Sequence, residues 1–270
     1  MLFGGLVSIT FRQLGVRDIV ELVKEAGLKC IEWGSDVHVP TGDVKVADEV
    51  RKMMRDEGLR TAAYGSYYRV GEGKQKASQF ERVLESAVAL GAPVVRVWAG
   101  SVGTEEASEE QWGRVIEDGK RIAALSNDVG VGISFEFHNQ TLTDHGEAAV
   151  RLVTSIGCEN VSLYWQPLDH AMGRNPMDDL NCVADWLRDV HVFSWAKGAD
   201  GGGIERQALV EREDDWRGYL KQISGVSGDH CVMIEFVKGD DPGQFLEDAA
   251  VLRKWIDEVS GGVKEDAADD

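Results

Sequence analysis

Four short apolar runs in the second half of the chain each carry a polar side chain near the carboxyl end. The polar members are Glu136, Gln166, His191 and Glu235. A carboxylate is out of place in a buried strand, because an unpaired buried charge is costly or is neutralised by a shift in its pKa. Carboxylate, amide and imidazole groups are, in contrast, suitable ligands for divalent cations. The four residues therefore predict a divalent-metal site, provided that the fold brings them together.

The alternation of side chains along a strand places these polar groups on one face. Within its run, Glu136 points to the same side as His138, while the phenylalanine between them points to the opposite side. We predict that Glu136 and Glu235 are catalytic carboxylates; the alternative for both is a structural ion pair. His191 could instead be a hydrogen-bonded core histidine, and Gln166 fits a core role equally well.

Apolar runs alternate with segments of helical periodicity along the whole chain. The runs that predict strands span residues 5–10, 30–33, 60–64, 94–98, 132–138, 161–165, 190–194 and 231–236. The segments that predict helices span residues 16–26, 44–57, 76–90, 109–129, 145–155, 178–188, 215–224 and 244–259. Such units predict the α/β class and a single (β/α)8 TIM barrel, in which the carboxyl ends of the strands converge on one mouth. A doubly wound open sheet is the alternative, but no G-x-G-x-x-G follows the first strand.

The composition limits the class of protein and its partners. A chain of 270 residues, 43% of them hydrophobic, is long enough for one large core. We predict a barrel domain over residues 1–262 and an acidic, disordered tail over residues 263–270. The formal net charge of −18 argues against nucleic-acid binding, because phosphate contacts need clustered Lys and Arg.

Cellular location is inferred from cysteine usage and from the lack of long apolar segments. The 4 cysteines are widely spaced and form no C-x-x-C pair, which is typical of reduced thiols in a cytoplasmic protein. No run has the length of a membrane span, and the first residues lack the pattern of a secretory signal. We expect a cytoplasmic protein without a membrane partner.

Several motifs lie at or just after the predicted strands. They are IEWGSDVHVP (31–40), YGSYYR (64–69), RVWAG (96–100), FEFH (135–138), YWQP (164–167), HVF (191–193) and IE (234–235). In their order and placement the chain resembles the xylose isomerase-like barrel superfamily, in the branch usually called sugar phosphate isomerases/epimerases. The resemblance covers most of residues 4–258.

The resemblance implies a metal site. Members of the superfamily typically bind Mn²⁺, Mg²⁺ or a related cation, with Zn²⁺ and Co²⁺ as alternatives, through Glu, Asp, His and Glu on the last four strands. Carried over, the implied ligands are Glu136, Gln166, His191 and Glu235. Gln166 stands where an aspartate is usual, so the ligand set carries one negative charge fewer, and Asp169 is a candidate substitute.

The resemblance also implies a reaction and a substrate site. One glutamate removes a proton from the carbon next to a carbonyl, the metal stabilises the enediolate, and the other glutamate returns a proton. This implies an isomerase or epimerase of a small sugar, sugar phosphate or keto-polyol. The residues expected to contact the substrate are Glu32, Trp33, His38, Tyr64, Arg96, Trp98, His138, Trp165, His170, Trp195 and Arg206. For Arg96 and Arg206, an ion pair with a local acid is favoured over binding of a phosphate or carboxylate.

Other functions remain open. A dehydratase or other lyase acting on a keto-inositol or sugar acid would use the same type of enolate intermediate. An apurinic-site endonuclease has the same fold but needs a rich His/Asp cluster and a basic face, whereas this chain has 6 histidines and a charge of −18. Gln166 motivates a non-catalytic sugar-binding barrel with an altered metal site. Because related barrels often form dimers or tetramers, a homodimer or homotetramer is expected.

Overall fold

A computed structural model of the protein describes residues 1–168, 173–198 and 203–265, apart from the side chains of residues 74–78 and 262–265. In this part of the chain, parallel strands close into a barrel in the order β1-β10-β7-β6-β5-β4-β3-β2. The barrel strands are β1 (Leu2–Val7), β2 (Cys30–Gly34), β3 (Arg60–Arg69), β4 (Val94–Trp98), β5 (Gly132–Glu136), β6 (Val161–Trp165), β7 (Leu187–Val192) and β10 (His230–Ile234). The predicted (β/α)8 TIM barrel is confirmed.

Helices surround the barrel, and a short hairpin stands at its mouth. The helices are α1 (Val16–Glu25), α2 (Val44–Asp56), α3 (Lys74–Leu90), α4 (Glu109–Asn127), α5 (Gly146–Ile156), α6 (Pro176–Val183), α7 (Glu213–Ser224) and α8 (Pro242–Glu265). The antiparallel hairpin pairs β8 (Trp195–Lys197) with β9 (Ile204–Arg206). No helix in the described residues is both long enough and apolar enough to cross a membrane. All side chains of the expected acidic tail, residues 263–270, lie outside the described part of the chain.

Several element boundaries differ from the prediction, and two of the differences have a clear physical cause. The first strand was predicted over residues 5–10, but the chain leaves the barrel after Val7 and forms a 3-10 turn over Ser8–Phe11. Two hydroxyls in this turn accept backbone N–H groups of neighbouring segments: Ser8 Oγ from Gly34 at 2.9 Å, and Thr10 Oγ1 from Phe236 at 3.0 Å. These bonds satisfy polar backbone that strand pairing would otherwise satisfy.

The helix predicted over residues 178–188 is shorter at its carboxyl end and starts earlier. Asn175 caps α6, and Pro176 occupies its first turn, where the missing N–H of proline costs no hydrogen bond. The helix ends at Val183, because Leu187 already belongs to β7 and pairs with Leu163 of β6. Tertiary strand pairing therefore overrides the helical periodicity of this segment.

Gly65 in β3 leaves room for the polar side chains inside the barrel. A Cβ atom at this position would lie 2.4 Å from Glu32 Oε1 and 3.0 Å from Arg96 Nη2. Real Cβ atoms do not approach other atoms this closely, so a larger residue would displace one or both partners. The close approach of two buried charged side chains is the physical reason for glycine at this position.

We expect Gly65→Ala to lower the free energy of unfolding by about 1–3 kcal/mol through this overpacking. Chemical denaturation of the metal-free protein measures the change. Gly113→Ala is the matched control: Gly113 is exposed within α4, and a Cβ there has no atom within 4 Å. This control should be stabilising by about 0.5–1 kcal/mol, because alanine is the better helix former. Equal effects at the two positions would contradict the packing argument.

Candidate metal and active site

The carboxyl ends of three strands bring Glu136, His191 and Glu235 together. Glu136 ends β5, His191 lies in β7, and Glu235 directly follows β10. Each offers a ligand atom, and these atoms lie within 4.8 Å of one another. All three residues are buried, and in the described part of the chain no other His, Cys, Asp or Glu group of this kind is found.

The two oxygens of Glu136 face different partners. Oε2 accepts hydrogen bonds from Arg96 Nη1 and Trp98 Nε1. Oε1 lies 3.2 Å from His191 Nδ1 and 3.4 Å from Gln166 Nε2. One oxygen is thus held by fixed donors, while the other faces the centre of the cluster.

The amide of Gln166 has a defined orientation. Its Nε2 donates to the carbonyl of Phe137 at 2.5 Å, and a carbonyl oxygen could not occupy that place without repulsion. The amide oxygen Oε1 is therefore the remaining polar atom, and it is buried without a hydrogen-bond partner. A buried acceptor without a donor is rare and suits a ligand atom for a cation. The expected ligand role of Gln166 stays a prediction with this geometric support.

The imidazole of His191 presents its two nitrogens to different groups. Nε2 lies 3.1 Å from Glu32 Oε2, and because a carboxylate only accepts, Nε2 carries the proton. Nδ1 lies 3.6 Å from Glu235 Oε2 and is also close to Glu136. It nevertheless forms no hydrogen bond of suitable geometry with either carboxylate. Nδ1 and the Gln166 amide oxygen are thus two unsatisfied ligand atoms beside two carboxylates. This donor set fits a divalent cation.

The charges around the cluster separate the pKa values of its members. Burial alone would raise the pKa of Glu136, but Arg96 and His191 outweigh it and lower the pKa to about 2. Burial raises the pKa of Glu235 to about 7, with a further contribution from the negative Glu136. Burial alone would lower the pKa of His191, but Glu235, Glu32 and Glu136 hold it well above its usual value. Glu136 is therefore ionised in the resting site near neutral pH, whereas Glu235 is poised to take up or release a proton in this pH range.

A buried arginine occupies the centre of the barrel beside the cluster. Arg96 is 1% exposed; its Nε donates to Glu32 Oε1 at 2.7 Å, and its Nη1 donates to Glu136. The ion pair with local acids, favoured from the sequence, is thus the arrangement observed for Arg96. Its guanidinium is engaged by two carboxylates, those of Glu32 and Glu136.

Some residues expected to contact substrate flank the mouth. The Trp98 ring lies 5.3 Å from the His138 ring, centroid to centroid. On the other side, Trp195 lies 6.2 Å from Phe236, and the guanidinium of Arg206 lies 4.5 Å from the same phenylalanine ring. Arg206 also forms an ion pair with a local acid, Asp240, as the sequence favoured. Aromatic side chains therefore lie beside the carboxyl ends of β4 and β7.

Other residues expected to contact substrate lie in the layer between strands and helices, away from the polar cluster. Trp33 is fully buried there, Tyr64 donates its hydroxyl hydrogen to the carbonyl of Val39, and Trp165 packs 5.1 Å from the Tyr219 ring of α7. The reason is strand alternation, since Trp33 and Trp165 directly adjoin residues that point inward.

His38 also lies outside the polar centre. Its Nε2 lies 3.2 Å from the carbonyl oxygen of Leu14, and its ring packs 5.9 Å from the Trp33 ring. Burial lowers its pKa, which keeps the imidazole neutral near pH 7. His38 thus holds the loop after β2 and takes no part in the cluster. His170 and Asp169 lie outside the described residues.

A polar network at the mouth was not predicted as functional. Arg12 donates to Asp36 at 2.7 Å and to the Tyr67 hydroxyl at 2.7 Å, and Tyr67 donates to Asp36 at 3.0 Å. The Tyr67 ring also contacts Trp98 edge-on at 5.5 Å. Asp36 follows β2 and Tyr67 lies near the end of β3, both within the motifs noted in the sequence, which was the available signal. Arg12 follows an unpredicted turn, and no sequence pattern marked it.

Comparison with known proteins agrees with this architecture. The sequence model of the xylose isomerase-like TIM barrel matches residues 20–255. The chain belongs to this family. No curated protein sequence matches the chain.

Several solved structures share the xylose isomerase-like barrel. The probable 3-DHS dehydratase AsbF from Bacillus anthracis has a TM-score of 0.79 and 17% identity, with coverage of 94% of this chain and 99% of that chain. The IOLI protein with a bound zinc atom has a TM-score of 0.76 and 17% identity, covering 95% and 99%. An L-ribulose 3-epimerase has a TM-score of 0.74 and 14% identity, covering 98% and 97%. At these identities the similarity shows a shared fold, so the reaction must be argued from the residues of the site.

Proposed function

We propose that this xylose isomerase-like barrel is a divalent-metal-dependent isomerase or epimerase of a small sugar, sugar phosphate or keto-polyol. The observation that carries the proposal is the buried placement of Glu136 and Glu235 beside the unpartnered Nδ1 of His191. Similarity to an L-ribulose 3-epimerase and to a zinc-bound barrel supports the same reading.

The residues that would hold the cation are Glu136, Gln166, His191 and Glu235. Three of the four are oxygen donors, which favours Mn²⁺ or Mg²⁺, whereas Zn²⁺ and Co²⁺ are compatible with the imidazole. A cation bound there polarises a carbonyl oxygen and stabilises the charge that develops when the adjacent carbon loses a proton.

The two glutamates are proposed to share the proton transfer. The carboxylate of Glu235 accepts no hydrogen bond from the described residues, so it has an oxygen available to take a proton from substrate. Glu136, in contrast, is held by Arg96 and Trp98 through one oxygen. A carbon acid between the two carboxylates could lose a proton on one side and gain one on the other. Return of the proton to the same carbon inverts the stereocentre, and return to the neighbouring carbon gives the isomer.

A lyase is the second candidate, because the structurally similar AsbF is described as a probable 3-DHS dehydratase. Loss of water from a keto-inositol or sugar acid would begin with the same proton removal. The two reactions differ in product mass, since dehydration removes water and isomerisation leaves the mass unchanged. A third possibility, a non-catalytic sugar-binding barrel, rests on Gln166 in place of an aspartate.

The test is a panel of ketoses, ketose phosphates and keto-inositols in D₂O with Mn²⁺ or Mg²⁺. We expect deuterium incorporation next to the carbonyl, which NMR detects, and a product whose mass exceeds that of the substrate only by the incorporated deuterium. A product lighter by one water molecule would establish the lyase. Metal binding without any exchange across the panel would support the sugar-binding barrel, and the absence of metal binding would contradict the proposal.

Metal affinity should depend on pH. A cation can bind Nδ1 of His191 only after its proton has left, and the pKa of His191 lies well above its usual value. The affinity for Mn²⁺ should therefore rise with pH, by up to about tenfold per pH unit for each displaced proton, and Glu235, whose pKa is raised to about 7, contributes a second proton below that pH. Calorimetric titrations from pH 6 to pH 8, in buffers of different ionisation enthalpy, measure both affinity and proton release. An affinity that stays constant without proton release would exclude His191 as a ligand.

The remaining expectations concern partners and location. We propose a small carbohydrate-like substrate, a cytoplasmic location, and no nucleic-acid or membrane partner. Homodimer or homotetramer formation stays a prediction, which light scattering at several protein concentrations would decide.

A further inference from the structure

Glu32 lies inside the barrel, next to the cation cluster but not part of it. We propose that Glu32 is a positioning residue that fixes the tautomer of His191, so that Nδ1 is the nitrogen offered to a cation. The inference rests on the proposed metal site and goes beyond it, because the family resemblance implies only a substrate contact for Glu32.

The carboxylate of Glu32 is shared between two donors. Oε1 accepts from Arg96 Nε at 2.7 Å, and Oε2 lies 3.1 Å from His191 Nε2. Glu32, Arg96 and His191 are at most 1% exposed, so water does not compete for these bonds. Both oxygens are engaged and Glu32 is 0% exposed, so its carboxylate is not open to a substrate hydroxyl in this arrangement.

The bond to Glu32 decides which nitrogen of His191 remains basic. A carboxylate cannot donate, so the imidazole must keep its proton on Nε2 when it is neutral. The lone pair then resides on Nδ1, which lies 3.2 Å from Glu136 Oε1 and 3.6 Å from Glu235 Oε2. Carboxylate partners of this kind orient a histidine ligand and make it more basic.

Arg96 links this positioning to a second ligand. The same guanidinium that holds Glu32 also donates to Glu136. Because a guanidinium is planar and rigid, it sets the relative positions of the two carboxylates. Arg96 therefore fixes the carboxylate that orients His191 and the carboxylate that would itself bind the cation.

Glutamine at position 32 cannot replace both functions of the carboxylate. An amide has one acceptor, and Arg96 always presents a donor, so the amide oxygen would turn towards Arg96. The NH₂ group would then face His191 Nε2 and force that nitrogen to accept. The imidazole proton would move to Nδ1, which is the nitrogen that a cation needs.

The positioning role of Glu32 is tested with variants in which Arg96 is also changed. We expect Glu32→Gln alone to weaken Mn²⁺ binding by about ten- to a hundredfold. In the Glu32→Gln/Arg96→Met double variant, the amide oxygen is free to accept from His191 Nε2. Affinity should therefore recover to within about tenfold of the wild-type value. The Glu32→Leu/Arg96→Met variant is the matched control. It has the same net charge as the glutamine double variant, but its leucine and methionine are both apolar and offer no acceptor to His191.

Isothermal titration calorimetry with Mn²⁺ gives the affinities, and the visible spectrum of bound Co²⁺ reports the ligand geometry without any need for turnover. Thermal unfolding of the metal-free proteins shows whether each variant folds. If Glu32→Gln alone does not fold, the comparison of the two charge-matched double variants still tests the positioning role of Glu32. At least tenfold tighter binding by the glutamine double variant, with a wild-type-like Co²⁺ spectrum, supports positioning by Glu32. Equal affinities in the two double variants would overturn it. If the wild-type protein itself binds no divalent cation, the proposed metal site fails instead.

Discussion

Replacing Glu235 with glutamine should reduce turnover by about 10²–10⁴-fold, the usual contribution of a general base or acid, while the barrel stays folded. Glutamine has nearly the same shape but cannot take or return a proton. The amide oxygen could still face a cation, as proposed for Gln166, so the loss of turnover should exceed the loss of metal affinity. The measurement is the rate of deuterium exchange next to the substrate carbonyl at saturating Mn²⁺, together with the Mn²⁺ affinity.

The stability of the Glu235→Gln protein gives an independent check. Because the pKa of Glu235 is raised to about 7 in the folded protein, its carboxyl is favoured in the protonated form. The wild-type protein should therefore lose stability as pH rises from the unfolded-state pKa, about 4.3, through 7. Metal-free Glu235→Gln lacks this loss and should be at least as stable as the wild type at pH 8.

Glu136→Gln is the informative comparison, because that residue is held by Arg96 and Trp98. This change removes one acceptor of a buried guanidinium and should lower both stability and metal affinity. Retention of exchange activity within tenfold in Glu235→Gln would exclude Glu235 as the proton carrier, and the catalytic assignment would then fall to Glu136.

Replacing Arg96 with methionine should destabilise the metal-free protein by about 3–5 kcal/mol, the range found when one partner of a buried ion pair is removed. The change leaves the carboxylates of Glu32 and Glu136 buried without their common partner. Saturating Mn²⁺ should restore more stability in this variant than in the wild type, because the cation supplies the missing positive charge. Chemical denaturation with and without Mn²⁺ measures both effects.

A surface arginine provides the control for Arg96. Arg114 pairs with Glu110 on the outer face of α4, and its side chain is 49% exposed. Arg114→Met should change stability by no more than about 1 kcal/mol, since exposed ion pairs contribute little. A similarly small effect of Arg96→Met would show that the buried charges are compensated in another way.

The charge balance around the cluster gives a physical reason for Gln166. Three buried carboxylates, those of Glu32, Glu136 and Glu235, surround one buried guanidinium, that of Arg96. When His191 is neutral, two negative charges remain uncompensated, and one divalent cation balances them. An aspartate at position 166 would add a further buried charge, which is costly to desolvate. The neutral amide is therefore consistent with a metal site that already contains a further buried acid, Glu32, and a buried base, Arg96.

The sequence by itself determined the barrel and the core of its candidate site. Apolar runs in alternation with helical segments predict parallel strands, whose carboxyl ends meet at one mouth. Side-chain alternation then places Glu136 and His191 on the inner face, where the structure brings them together with Glu235. These conclusions depend only on local periodicity and on a fold that closes in a regular way.

Only the tertiary structure decided which polar groups of the centre are hydrogen-bonded to each other. The bond between Arg96 and Glu32 joins residues 64 positions apart, and the contact of Glu32 with His191 spans 159 positions. No local pattern encodes such distances, because they depend on which strands face each other across the closed barrel. The family resemblance implies a substrate contact for Glu32, whereas in the folded barrel its carboxylate lies 3.1 Å from His191 Nε2. The polar residues at the strand ends can be identified from the sequence. Which donor pairs with which acceptor depends on the folded barrel.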